Sequence, residues 1–153
     1  PSAAGSDCQK DRVGRMPSVF VYHHHVLESE IDDLNHANNA AYVNWMQAAA
    51  IAHSTLQGWA PQRYRDQQVA WVARSHKIDY LQPALVGERL AVHTWVADMQ
   101  RVSSLRRYEI RRESDDALLA RAETRWAFIA TETGKPARIP QNVQDDFDVI
   151  EDR

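Results

Sequence analysis

The sequence predicts an α+β fold in which a five-stranded antiparallel sheet wraps around one long central helix. Three observations lead there. Segments rich in β-branched and aromatic residues, or alternating in polarity, occur at 19–27, 69–80, 89–99, 103–112 and 117–131. Between the first and second lies one segment with helical spacing, 39–57, where Ala41, Trp45, Ala48, Ala49, Ala52 and Leu56 recur at three- and four-residue intervals. The connections at 81–88, 100–102 and 113–116 are short, which predicts an antiparallel meander.

The elements follow in order. Pro1 to Arg15 is a polar stretch expected to form a flexible leader, with Met16 as an alternative start. It lacks the apolar core of a signal peptide. Val19 to Leu27 reads as a strand. In the helix, Ala40, Val43, Ala50 and Ile51 spread apolar surface around the circumference, so the helix is expected to be largely buried. Gly58 supplies its stop, since glycine takes the left-handed conformation at low cost. Pro83 and Gly87 mark a turn between the second and third strands. In 103–112 the apolar residues Leu105, Tyr108 and Ile110 are only loosely in phase. Gly134, Pro136 and Pro140 end the regular structure. The expected organisation is a leader at 1–17, one domain at 18–147 and an acidic tail at 148–153.

Composition narrows the function. A chain of 153 residues can bury a core without staples. The net charge of −3 disfavours broad binding to nucleic acid or an anionic membrane. No apolar run approaches the roughly 20 residues that span a bilayer, and a cytoplasmic location is expected. The single Cys8, in the leader, offers no disulfide framework and no thiolate metal site. Of His23, His24 and His25, only the first and third would share a strand face, and no nearby carboxylate or cysteine cluster completes a ligand set. No metal or other cofactor is expected.

The chemistry concentrates in Ile31-Asp-Asp-Leu-Asn-His-Ala-Asn-Asn-Ala-Ala-Tyr-Val-Asn-Trp45. Asp32 lies four residues before His36, and Asn38 and Asn39 stand where the helix begins. Asn and Asp are favoured at N-caps because they satisfy amides that the first turn leaves unpaired. Such turns often do nothing more than cap. A helix start also carries partial positive charge, however, and a carboxylate beside free N–H donors is what thioester hydrolysis would use.

This segment resembles the motif of the 4-hydroxybenzoyl-CoA thioesterase type of acyl-CoA thioesterases, roughly Asp-x-x-Gly-His-x-Asn-Asn-x-x-Tyr. Here it stands as Asp32-Asp-Leu-Asn-His36-Ala-Asn38-Asn39-Ala-Ala-Tyr42. Arg74-Ser-His-Lys-Ile-Asp-Tyr80-Leu-Gln-Pro83-Ala-Leu-Val-Gly87 resembles the family's second strand and the turn after it. Arg101-Val-Ser103-Ser104 resembles the start of its fourth strand, and Thr133-Gly-Lys-Pro-Ala-Arg-Ile-Pro140 its ending. The likeness covers about residues 18–147. It implies the hotdog fold and a homodimer or homotetramer whose protomers join sheets edge to edge. Acyl-CoA would bind at the interface.

The resemblance assigns roles residue by residue. Asp32 matches the catalytic aspartate, acting as nucleophile or as general base toward water. The Asn39 amide would polarise the thioester oxygen, and His36 would position substrate or tune the site. Asn38 would cap the helix beside the bound substrate, and Tyr42 would line the acyl pocket or pack in the core. Ser75, His76, Ser103 and Ser104 could approach substrate, and Arg74, Lys77 and Arg101 could meet CoA phosphates. Two positions depart from the family pattern. Asn35 replaces the common glycine, with Asn among the residues most tolerant of the left-handed conformation. Gln47 stands where many relatives have a helical glutamate; were that glutamate the base in this subgroup the protein would be impaired, so Asp32 is the expected base or nucleophile and Gln47 is left a polar positioning role. The pattern is also similar to that of plant acyl carrier protein thioesterases, which carry Asn where this chain has Leu34. A non-hydrolytic acyl-CoA sensor and a hotdog hydratase are the other readings.

Overall fold

The computed structural model describes residues 19–151. The predicted leader, with Cys8 and Met16, lies outside the described residues. Strand β1 is Phe20–His25, helix α1 is Asn39–Leu56, α2 is Pro61–Asp66 and β2 is Val69–Tyr80. Then come β3 Arg89–Met99, β4 Ser103–Arg112, β5 Leu118–Ala130 and α3 Gln141–Asp146. A 3-10 turn occupies Glu28–Glu30. The three short elements Glu28–Glu30, α2 and α3 are not foreseen by periodicity, because one or two turns give too few residues to display a repeat. No helix among the described residues is long and apolar enough to cross a membrane.

The five strands form one antiparallel sheet in the order β1-β3-β4-β5-β2. This corrects the simple meander. Only β3, β4 and β5 follow one another, while β2 pairs with β5 through eleven residue pairs from Val69↔Ala130 to Tyr80↔Ala120. Segment 81–88 therefore has to cross the end of the sheet to start β3 on the far side. It is tied down on the way. Leu81 and Gln82 donate to the Leu119 carbonyl, the Ala37 amide donates to the Ala84 carbonyl, and Val26 donates to that of Glu88. That crossing carries it past the start of α1.

Helix α1 begins where Asn38 stops being helical, with φ −68° and ψ 155°, and its side chain accepts the Ala41 amide at 2.8 Å. It ends before Gly58, whose φ of +96° lets the Trp59 amide turn back to the Ser54 carbonyl. Its buried face is Ala41, Tyr42, Trp45, Met46, Ala49, Ala50 and His53. The small alanines let the sheet approach closely, and Trp45 and Met46 fill the volume against Leu90, Val92 and Ile110. Ile51 is 52% exposed in the single chain, so burial is one-sided and not all round as the composition suggested. A second core lies toward the helix C-terminus, where Trp59, Tyr64, Phe128, Ile139 and Val143 meet. Phe147, the last residue of the expected domain, is buried. Residues read as tail continue the structure, since Val149 bridges Val96 and Ile150 donates to the Val96 carbonyl at 2.9 Å.

Candidate active site

Residues 31–38 form a tight hairpin that ends at the helix cap. Ile31 bridges Ala37, the Asp32 amide donates to the His36 carbonyl at 2.7 Å, and the Asn35 amide donates to the Asp32 carbonyl at 3.0 Å. Closing so short a loop requires one left-handed residue, and Asn35 takes it with φ +62°. This is the position where the family pattern has glycine. The chain thus tolerates the departure by the route expected for Asn.

Within the hairpin, Asp32 Oδ1 accepts the Leu34 amide at 2.9 Å and the His36 amide at 3.2 Å. The carboxylate is fixed by its own loop. Among the described residues no cation lies within ion-pair distance of it. Oδ2 accepts no described donor, and the residue is exposed. At the adjoining helix start, the Asn39 and Ala40 amides find no protein acceptor among the described residues. The Asn39 carbonyl accepts the Tyr80 hydroxyl at 3.1 Å, which joins β2 to the helix start. His36 is half-buried and its backbone bridges Leu85 on the crossing segment. Around the loop, Leu34, Leu81, Leu85 and Val86 stand exposed, an apolar rim beside a polar centre.

The loop is anchored by a residue that local spacing did not single out. Glu30 accepts from His24 Nε2 at 2.8 Å, from the Leu27 amide at 2.8 Å and from the Trp45 indole at 2.7 Å. Its carbonyl also accepts the Asn38 amide at 2.7 Å. Burial alone would raise this carboxyl. The Leu27 amide, His24 and Trp45 together hold it below the usual carboxylate range. Glu30 and Trp45 stand fifteen positions apart, so no helical or strand repeat links them. Replacing Glu30 by Ala strands three donors, and the expected loss is about 2 kcal/mol or more. Urea unfolding would read this as a lowered midpoint, and an unchanged midpoint would show the anchor is dispensable.

The other predicted residues divide into three groups. Tyr42 belongs to the core, with its hydroxyl receiving the Ala84 amide at 3.1 Å and its ring edge-on to Tyr80. Arg74, Ser75, His76 and Lys77 lie exposed along β2, where the pairing shifts register at Arg74. His76 Nδ1 is 2.7 Å from the Thr124 hydroxyl. Arg101 is exposed in the β3–β4 turn, where Ser103 pairs its carbonyl with Gln100. Ser104 is buried and its hydroxyl donates to the Asp98 carbonyl. Of the three histidines of β1, His24 packs tilted against the Trp45 ring and pairs with Glu30, and exposed His23 pairs with Glu113.

Further along α1 lies a cavity of about 380 Å³, between the C-terminal half of the helix and the sheet. Gln47 and Ser104 reach it, whereas no residue of 31–42 lines it. Trp59, Trp71, Val96 and Phe147 make apolar walls, and Arg106 stands among them. Arg106 occupies a helix-facing position of β4, in phase with buried Ser104, Tyr108 and Ile110. Its Nη1 donates to His53 Nδ1 at 2.9 Å and to the Thr94 hydroxyl at 3.1 Å. His53 is held between Phe20, stacked on it, and the edge of Phe147. Burial, assisted by the Arg106 cation, drives the His53 pKa down to about 3. This imidazole is therefore a neutral acceptor.

A hotdog sheet-and-helix frame with an Asp-His-Asn-Asn loop at the helix start defines a class, that of hotdog thioesterases. The comparisons agree. The model of the thioesterase-like superfamily matches residues 26–147, and the chain belongs to that family. Solved structures share the fold. One is a 1,4-dihydroxy-2-naphthoyl-CoA thioesterase from Synechocystis, 24% identical, with TM-score 0.78 over 84% of this chain and 94% of that one. A second is a Staphylococcus aureus protein solved in complex with CoA, 16% identical, with TM-score 0.78 over 84% and 80% of the two chains. A third is a gentisyl-coenzyme A thioesterase, 16% identical, with TM-score 0.76 over 84% and 99%. No curated protein matches the chain.

Proposed function

We propose that this protein hydrolyses an acyl-CoA thioester to the free carboxylic acid and CoA. The observation that carries the reading is the pairing of a loop-held Asp32 carboxylate, one oxygen of it unsatisfied, with the acceptor-free Asn39 amide at the start of α1. In the reaction, Asp32 either removes a proton from water or attacks the carbonyl carbon itself, giving a mixed anhydride that water then opens. The carbonyl oxygen gains charge as the new bond forms. The Asn39 amide and the helix-end field stabilise it. Collapse expels the CoA thiolate, which takes up a proton. His36, on the same hairpin, is assigned to positioning the thioester.

A CoA substrate is supported by the relative solved with CoA and by those named as CoA thioesterases. Exposed Arg74, Lys77 and Arg101 are the cations assigned to its phosphates. The twelve-residue β2 has a neighbour on one side only. An open edge of that length invites pairing, which supports a two-fold homodimer formed along β2. A homotetramer would be two such dimers. Gln47, exposed on α1 in place of an acid, favours one second reading: a protein that binds acyl-CoA without turnover.

A panel of aromatic and short-to-long aliphatic acyl-CoAs, followed by release of free thiol, tests the proposal. Turnover on one substrate class is the expected result. Tight binding of acyl-CoA with no thiol released from any member would establish the sensor instead.

A further inference from the structure

A cation buried without an acid is costly in a protein core, where neighbouring side chains must replace the water it gave up. Arg106 is 6% exposed, and no described carboxylate lies within ion-pair distance of it. Neutral His53 and Thr94 occupy Nη1 alone. The remaining guanidinium donors meet no described acceptor, and the side chain borders a cavity of about 380 Å³ walled by Trp59, Trp71, Val96 and Phe147. Arg65 also lines the cavity, but it is exposed and donates to Gln62 Oε1, so Arg106 is the charged group buried among the walls. An apolar chamber with a few convergent polar groups is the usual form of a small-molecule pocket, and this one is of ordinary size. Arginine, with a planar fork of donors, favours carboxylate-like acceptors over a lone neutral oxygen.

We infer that this cavity is the acyl pocket and that Arg106 selects acyl groups carrying an anionic oxygen, carboxylate or phenolate, at the end remote from the thioester. The inference deepens the hydrolase reading and rests on it. The His53–Thr94 pair holds Nη1, so the fork is fixed before substrate arrives and little side-chain freedom is lost on binding. Gln47 lies at the cavity, eight residues along α1 from Asn39, or about 12 Å at the helical rise. The apolar walls take the stem of the acyl group. A methyl-ended chain of the same length leaves the guanidinium unanswered, which is how a polar site rejects the analogue lacking its partner.

The test measures kcat/KM for CoA thioesters in matched pairs, ω-carboxyacyl against methyl-ended chains over a range of lengths, and hydroxyaryl against aryl. Binding of the corresponding free acids is measured by calorimetry alongside. The wild-type protein is expected to prefer the anionic member of at least one pair by about tenfold or more. Which pair does so separates carboxylate from phenolate. Arg106→Met, which fills the volume without donors, should bring that ratio close to one and weaken binding of the free acid by about tenfold. Arg106→Lys, which keeps the charge but not the fork, should fall between. Hydrolysis with no preference in any pair would overturn the inference and leave the hydrolase reading intact. Absence of hydrolysis, with acid binding that depends on Arg106, would overturn the hydrolase reading and support the anion pocket. The wild-type ratio and acid binding decide the matter even if Arg106→Met does not fold.

Discussion

Asp32→Asn should lower kcat/KM for the best acyl-CoA substrate by about 100-fold or more. The structure makes this substitution a clean one. The Leu34 and His36 amides reach Asp32 Oδ1, and an amide oxygen at the same place accepts both. The hairpin, its left-handed Asn35 and the cap at Asn38 should therefore survive, and the thermal midpoint should stay within a few degrees of the parent. What is lost is the charge that takes a proton from water or attacks carbon. Released thiol under kcat/KM conditions gives the first quantity, and calorimetric unfolding gives the second. Activity within about threefold of the parent would place the base elsewhere. If both activity and stability fell, the aspartate would be reporting loop structure instead of chemistry.

Much of this site was legible because it is local. The hairpin from Ile31 to Asn38 is built from backbone turns, an Asx contact and a cap, each of which leaves its mark within four residues. Strands β2, β3 and β4 begin and end at the predicted residues for a similar reason, since turn residues bound them. Sheet order was not legible. Short connections suggested that β2 and β3 are neighbours, yet β2 joins the opposite edge and segment 81–88 crosses the sheet end. That crossing brings Ala84 and Leu85 against Ala37 and His36, so the feature missed by loop length also buttresses the loop.

The weak phase of 103–112 has a physical explanation. Positions 104, 106, 108 and 110 face the helix, and one of them is an arginine. Counting apolar residues therefore picked out Leu105, which lies on the other face, and missed the true alternation. His53 was hidden in the same way, as a polar residue on the buried stripe of α1 beside Ala49 and Ala50. Both belong to one contact, made between residues fifty-three positions apart. A charged residue in a core phase is thus the sequence signal that could have pointed to this cavity.

That contact also fixes how the protein should respond to acid. His53 binds a proton in the folded chain only near pH 3, whereas its ordinary value is 6.5. Between these limits the unfolded chain carries the extra proton, so lowering the pH favours unfolding. The loss sets in as pH falls through 6.5 and grows until the folded histidine itself titrates. It amounts to about 2 kcal/mol near pH 5, from the populations of the two protonation states. Glu30 works at lower pH. Its carboxyl is held below 4.5 in the folded chain, so its contribution is present above that value and disappears only under stronger acid. A comparison of pH 7 with pH 5 therefore isolates the histidine from this carboxylate. His53→Gln keeps an acceptor for Arg106 and removes the titration. In urea unfolding, the parent should lose about 2 kcal/mol more than the variant between the two pH values. Equal losses would mean that folded His53 accepts a proton near its ordinary pKa, and that water reaches the imidazole beside Arg106.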